Sequence, residues 1–256
     1  LNPSFLPSFA HLPLIHSEDG TKLSKRHGAT SVLEFKKMGY LPQALLNTLF
    51  LLGWSPGGDR EIIDFYEACR LFSIEHVNKN AAQFSYEKTA WLNGQYIKKT
   101  PAKDLVAACL ELDMEKIRDY RSKDSEKLMK AIEMTKSRPR LLPDLVKCIS
   151  FFFEPHIDIS HPLQEKYLSD KAAVMEKMAE VKDELRNISV FHAGPLEESL
   201  RKSCRDKGIQ TKELLMPLRV ILTGQDVTPG IFEVMELMGK ELCLKRLIDF
   251  LNQNPE

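Results

Sequence analysis

The chain has 256 residues, 43% hydrophobic and 28% charged, a balance suited to a soluble globular protein with one large domain or two to three smaller ones. Thirty-six basic residues are matched by thirty-six acidic ones, so global charge gives no argument for a polyanionic partner, which would have to meet a local patch. No apolar run approaches the ~20 residues that cross a bilayer, and no basic segment leads into a long apolar one, so the expectation is a cytoplasmic chain without membrane contact.

The five cysteines, Cys69, Cys109, Cys148, Cys204 and Cys243, lie tens of residues apart and form no CxxC pair, which argues against a disulfide or zinc framework. Each sits among apolar neighbours and is expected to be a buried, inert thiol. His11 and His16, like His156 and His161, are five residues apart, a spacing that fits no helical metal site, so no metal ligands are expected.

In chain order, the apolar run His11 to Ile15 predicts a strand leading into "SEDGTKLSKRHGATS". Asp19-Gly20 predicts a tight turn there, and Lys22, Lys25 and Arg26 crowd positive charge beside it. Two readings stand: an exposed polar turn, or a cationic loop that meets a phosphate. Ser31-x-x-Glu34 is a capping-box pattern that starts a helix, which Gly39 ends.

"LPQALLNTLFLLGW" places Pro42 in a first helical turn and Gly53 as a stop, with apolar residues on nearly every side, as in a helix buried on several faces. After "SPGGDRE" comes "IIDFYEACRLF". In "SYEKTAWLNGQYI" the Asn93-Gly94 dipeptide predicts a helix end, and in "TPAKDLVAACLELD" Thr100 is the expected cap, with Pro101 at the first helical position.

Helices are expected over 124–136 and 141–153, then a connection at "EPHIDISHPL", a long amphipathic helix over 169–186, and four more helices in the last third. Residues 116–147 form the local basic stretch, with ten Lys and Arg against five acids. One extended segment and one charged loop before about 220 residues of helix make an incomplete α/β site, because several strands are needed to hold one. The chain, which does not begin with Met, is therefore expected to be a piece of a longer protein.

"KLSKR" resembles the KMSKS signature of class I aminoacyl-tRNA synthetases. Its surroundings, "DGTKLSKRHGATSVLEF", "MGYLPQALLNTLFLLGWSPGGDREI", "EKTAWLNGQYI", "LRVILTG" and "PGIFEVMELMGKE", resemble the bacterial glutamyl-tRNA synthetase family in family order and across most of the chain. The resemblance implies a mainly α fold: the end of a class I nucleotide-binding catalytic domain over 1–30 with the KMSKS-like loop, a helical stem-contact subdomain over 31–100, and an all-α anticodon-binding domain in two parts, 101–165 and 166–256.

The implied function is glutamate–tRNA ligation. Glutamate and ATP, with Mg2+, form glutamyl-adenylate, and glutamate then passes to tRNA(Glu); tRNA(Gln) is a second candidate acceptor, for a non-discriminating enzyme. A monomer is expected. The KMSKS-like motif is Lys22, Leu23, Ser24, Lys25 and Arg26. Lys25 is the ATP-binding and catalytic lysine, assisted by Lys22 and Ser24, while Leu23 stands for the usual Met as an apolar anchor.

Implied tRNA contacts are Trp91, Asn93, Arg138, Arg140, Gly230 and Phe232. Their structural alternatives stay open: a core tryptophan, solvated arginines, a plain helix start. The HIGH-like tetrapeptide of the family is absent from these residues, so the fragment alone is expected to be inactive. A free-standing helical RNA-binding or adaptor protein is the other reading, and the intact lysines and serine of the signature favour the ligase.

Overall fold

The structure is a computed structural model that describes residues 9–24 and 31–252. Among these the chain is helical: the only β pairing consists of isolated bridges from His16 to Lys22 and from His16 to Gln83. The strand expected over His11–Ile15 does not form. An extended run needs neighbours along its length to satisfy its backbone, and pairing here is confined to the end of the run.

The helices are α1 (Val32–Met38), α2 (Pro42–Leu51), α3 (Phe65–Leu71), α4 (Tyr86–Lys99), α5 (Ala102–Glu111), α6 (Glu115–Lys123), α7 (Ser125–Thr135) and α8 (Leu142–Ser150). They are followed by α9 (His161–Tyr167), α10 (Lys171–Asn187), α11 (Ala193–Asp206), α12 (Thr211–Thr223), α13 (Ile231–Met238) and α14 (Lys240–Leu251). The chain divides into two compact units: one runs to Met114 and takes in Ser137–Asp144, and the other comprises Glu115–Lys136 and Leu145 onwards.

In the first unit, local chemistry sets the helix ends. The Ser31 side chain accepts from the Glu34 backbone N–H while the Glu34 carboxylate accepts from the Ser31 N–H, completing the capping box. Gly39 ends α1 in the left-handed region at φ 92°. A side chain there would overlap the Pro143 ring and lie 3.0 Å from Leu142 N, so glycine is required twice over.

Pro42 opens α2 as expected, but this helix is not buried on several sides. It buries Ala44, Leu45, Asn47 and Thr48, and leaves Leu46 and Leu49 exposed on the opposite face. Phe35, Tyr40, Leu45 and Phe84 form the nearby core, with Leu23, Tyr86 and Leu141 packed against it.

Two boundary expectations fail for tertiary reasons. α4 runs through Asn93-Gly94 without a break, because both residues serve contacts to other segments. Thr100 does not cap the N-terminus of α5: its hydroxyl donates back to the Tyr96 carbonyl at 2.8 Å and closes α4, while Pro101 takes the cap position of α5.

The second unit is a helical bundle. α10 buries Val174, Met178, Val181 and Leu185, and α11 buries Leu196, Leu200 and Cys204, each along one stripe of helical period. α14 adds Cys243, Arg246, Leu247 and Phe250. The four helices expected in the last third all form. Pro217 stands inside α12, where the carbonyl it leaves unbonded belongs to exposed Glu213 and can take water instead.

α6 carries little sequence signal. It buries only Ile117 and Tyr120, too sparse an apolar pattern to signal a helix. The cysteine expectation holds for Cys109, Cys204 and Cys243, which are buried; Cys69 is exposed on α3 and Cys148 is half-buried.

Candidate functional site

The charged loop begins on a built turn. Asp19 accepts at Oδ1 from the Ser17 hydroxyl (2.5 Å), the Thr21 N–H (2.9 Å) and the Thr21 hydroxyl (2.8 Å). Gly20 sits at φ 80°, and its N–H donates to Ser17 O, as the Asp-Gly dipeptide predicts. The turn is tied to the rest of the unit through His16, whose N–H donates to Ala82 O (2.9 Å) and whose carbonyl accepts from Phe84 N–H (2.8 Å).

Beyond the turn, Lys22 is exposed, Ser24 is half-buried, and Leu23 packs on the core around Phe35 and Phe84. The Leu23 N–H also donates to Ile15 O at 3.0 Å. Leu23 is thus an apolar anchor. Lys25 and Arg26 lie outside the described residues; the chain is described again at Ser31, the cap of α1.

A second group of sequence-predicted residues meets on α4. Trp91 is half-buried, whereas Asn93 is fully buried. Asn93 Oδ1 accepts from Leu41 N–H (2.8 Å), and its Nδ2 donates to Arg140 O (2.6 Å) and Gly39 O (3.3 Å). The expected direct contact of Asn93 with RNA is therefore corrected: its amide has no surface open to a ligand. Arg138 and Arg140 are exposed on either side of buried Pro139, and Arg140 pairs with Glu87 at 4.0 Å.

The third pair is separate from these. Gly230 is the cap residue of α13, and Phe232 is buried in the second unit. The Glu233 carboxylate folds back onto the space beside Gly230 where a Cβ would stand. An anion at this helix end is thus preceded by the protein's own carboxylate, and a burial of 6% exposure places the Phe232 ring in the core rather than along a surface pocket.

The basic stretch 116–147 belongs to both units. Part of its charge is spent locally: Lys123 pairs with Asp119 (2.7 Å), Lys130 with Glu126 (2.7 Å), Lys136 with Glu133 (2.6 Å) and Lys116 with Glu154 (3.0 Å). Lys127 donates to Met238 O at 3.1 Å and lies over the Phe153 ring, and burial pushes its pKa down. Arg118, Arg121 and Lys147 are exposed in the second unit, as Arg138 and Arg140 are in the first.

Among the described residues, no group of His, Cys, Asp and Glu is arranged to hold a metal ion, and no helix is long and apolar enough to cross a membrane. An apolar cavity of about 360 Å³ in the first unit, lined by Leu12, Ile15, Trp54, Phe72 and Val77 among others, contains none of the sequence-predicted residues.

Two family models match the chain in succession: "tRNA synthetases class I (E and Q), catalytic domain" over residues 4–91, and "Anticodon binding domain" over residues 105–251. Glutamate–tRNA ligase 2 of Caldicellulosiruptor saccharolyticus is 38% identical over 241 residues, which are 94% of this chain and 50% of the relative. Glutamate–tRNA ligase 1 of Syntrophomonas wolfei is 38% identical over 249 residues, covering 96% and 50%.

A crystal structure of a glutamate tRNA ligase from Elizabethkingia meningosepticum, in complex with its amino acid, superposes with a TM-score of 0.81 at 28% identity. It covers 97% of this chain and 52% of that one. The chain spans about half the length of the curated relatives it matches, and corresponds to their C-terminal half.

Proposed function

Because the chain belongs to the anticodon-binding-domain family and is homologous to the C-terminal half of glutamate–tRNA ligases, we propose that it supplies the signature loop and the tRNA-binding body of such a ligase. The observation that carries the reading is the order of the two family matches along one chain, a class I catalytic match followed by an anticodon-binding match. The helical architecture agrees with it.

In this reading a glutamate carboxylate oxygen attacks the α-phosphorus of ATP, and the bond to pyrophosphate breaks. A ribose hydroxyl at the tRNA terminus then attacks the activated carbonyl, and AMP leaves. Negative charge accumulates on the departing pyrophosphate in the first step, and a preorganised ammonium lowers that barrier. Lys25 is assigned this charge, with Lys22 and Ser24 assisting.

The turn at Asp19 and the packed Leu23 support the assignment, because they fix the chain on either side of Lys22. ATP is a substrate here, and Mg2+ would accompany its phosphates. The described residues offer no carboxylate cluster for the ion, so no step is assigned through it.

Residues 31–100 would contact the acceptor stem, and 101–165 and 166–256 the anticodon side. Trp91, Arg138, Arg140 and Gly230 are the proposed RNA contacts that the fold leaves at least partly accessible, with the Glu233 carboxylate beside Gly230. tRNA(Glu) is the proposed acceptor, and charging assays on purified tRNA(Glu) and tRNA(Gln) with the longer ligase distinguish a discriminating enzyme from one that accepts both.

For the chain itself, binding to a tRNA(Glu) transcript is expected to weaken steeply with salt. No binding at low salt would defeat the proposal. In the longer ligase, Lys25→Ala is expected to raise the barrier to adenylate formation by ~2–4 kcal/mol, read as ATP–pyrophosphate exchange.

A further inference from the structure

We infer that Asn93 and Gly94 are positioning residues, a seat on α4 that fixes the 137–141 segment so that Arg138 and Arg140 are presented together to tRNA. The inference rests on the RNA-binding reading above. It gives a new role to a dipeptide whose local chemistry signals only a helix end.

Asn93 is suited to the task because an amide carries both a donor and an acceptor at one end. Its Oδ1 takes the Leu41 N–H, and its Nδ2 spends both hydrogens, on Arg140 O and Gly39 O. Aspartate would keep the first bond and lose the other two; leucine would lose all three. The bond to Arg140 O, at 2.6 Å, holds the backbone of the residue whose side chain the inference concerns.

Gly94 brings the two segments into contact. A Cβ there would lie 3.3 Å from Pro139 O and 3.5 Å from Arg140 Cα, so an added methyl presses on the Pro139 carbonyl and shifts the segment by a few tenths of an ångström. The downstream end is held as well: Leu142 N–H donates to the same Gly39 carbonyl at 3.2 Å, and Leu141 packs on the core.

The result is a segment pinned by its backbone with its charges turned outward. Pro139 is buried and fixes its own φ, while Arg138 and Arg140 leave it on either side, both exposed. The Arg140 partner, Glu87, stands 4.0 Å away with an 85% exposed side chain. A pair so open is weak, and a phosphate oxygen can replace the carboxylate at little cost.

The test is binding of the full 256-residue chain to a tRNA(Glu) transcript across a salt series, with thermal unfolding followed in parallel. Arg138→Ala/Arg140→Ala is expected to lower the salt slope by about two, roughly one per cation lost. Asn93→Ala and Gly94→Ala are each expected to weaken binding about 3–10-fold, and to change nothing further when added to the Arg138→Ala/Arg140→Ala chain. Gly94→Ala is the decisive variant, because alanine favours the helix and keeps α4 folded even if Asn93→Ala destabilises the chain.

Wild-type affinity in Gly94→Ala, beside weakened binding in the arginine variant, would overturn the seat while leaving the RNA reading in place. So would an equal loss in the Arg138→Ala/Arg140→Ala background, the mark of general damage. If the arginine variant binds as wild type, or the wild-type chain binds no tRNA, the RNA reading of this segment fails and the inference falls with it.

Discussion

The guanidinium of buried Arg246 donates from Nη2 to the carbonyl of Phe151 at 2.6 Å. The same group reaches Leu222 O and Glu154 O, so one side chain satisfies carbonyls at the end of α12 and in the turn that follows α8. Arg246→Met would leave the Phe151 and Leu222 carbonyls buried and unbonded. At about 1–3 kcal/mol for such a group, with partial relaxation, the second unit is expected to lose about 3–5 kcal/mol. Urea unfolding checks this: an unchanged midpoint would remove the proposed role. Arg246→Lys, which keeps the charge without the planar fork, is expected to fall between the two.

Two of the left-handed glycines of the first unit, Gly20 and Gly39, separate backbone strain from crowding. Gly20→Ala meets nothing within 4 Å, so only the conformational cost of about 1 kcal/mol applies. Gly39→Ala carries the same cost and also strikes the Pro143 ring and Leu142, for a total of about 2–4 kcal/mol. Thermal unfolding of both variants should rank them in that order, and equal losses would show that the 142–143 backbone yields freely.

Thiol reactivity follows burial. Burial pushes the Cys109 and Cys243 thiols up to about 12, so neither forms thiolate near neutral pH. Cys69 is exposed on α3. A disulfide reagent at pH 8 is expected to react rapidly at Cys69 and with Cys109 and Cys243 only on unfolding. Cys69→Ser should remove the rapid phase; if that phase persists, the buried thiols are more accessible than the structure implies.

Acid sensitivity has a named contributor in the second unit. The Glu154 carboxylate accepts from the Tyr120 hydroxyl (2.5 Å) and from Lys116 Nζ (3.0 Å), and these bonds, Tyr120 first, hold its pKa below the ordinary carboxylate value. A depressed folded pKa means that the stabilisation is present above the unfolded value of about 4.3 and is lost as pH falls through the folded one. Glu154→Gln is therefore expected to flatten the pH dependence of stability below about pH 4.3. Chemical denaturation at pH 6 and pH 3 measures it, and an unchanged slope would place the acid sensitivity elsewhere.

What the sequence made legible was mostly local. Ser31, Glu34 and Gly39 signalled α1 because cap and stop act within a few residues, and Asp19-Gly20 signalled its turn for the same reason. The partners of Asn93 lie 47, 52 and 54 residues away, at Arg140, Leu41 and Gly39, where no window of local chemistry reaches them. Periodicity also misjudged α2: its leucines are apolar on all sides, but Leu46 and Leu49 remain exposed. For the site, the lysine signature was found by resemblance, whereas the burial of Asn93 and Phe232 could be learned only from packing.

The first unit is discontinuous in sequence: it resumes at Ser137 and ends again at Asp144, between stretches that belong to the second. A graft made at a single junction after Met114 would therefore exchange more than the region beyond it. The recipient would receive its Ser137–Asp144 strap from the donor, and with it the carbonyl that Asn93 grips, the proline ring beside Gly39, and both arginines. Exchange that preserves the seat requires crossovers on both sides of the strap, so these eight positions and α4 form one unit of inheritance.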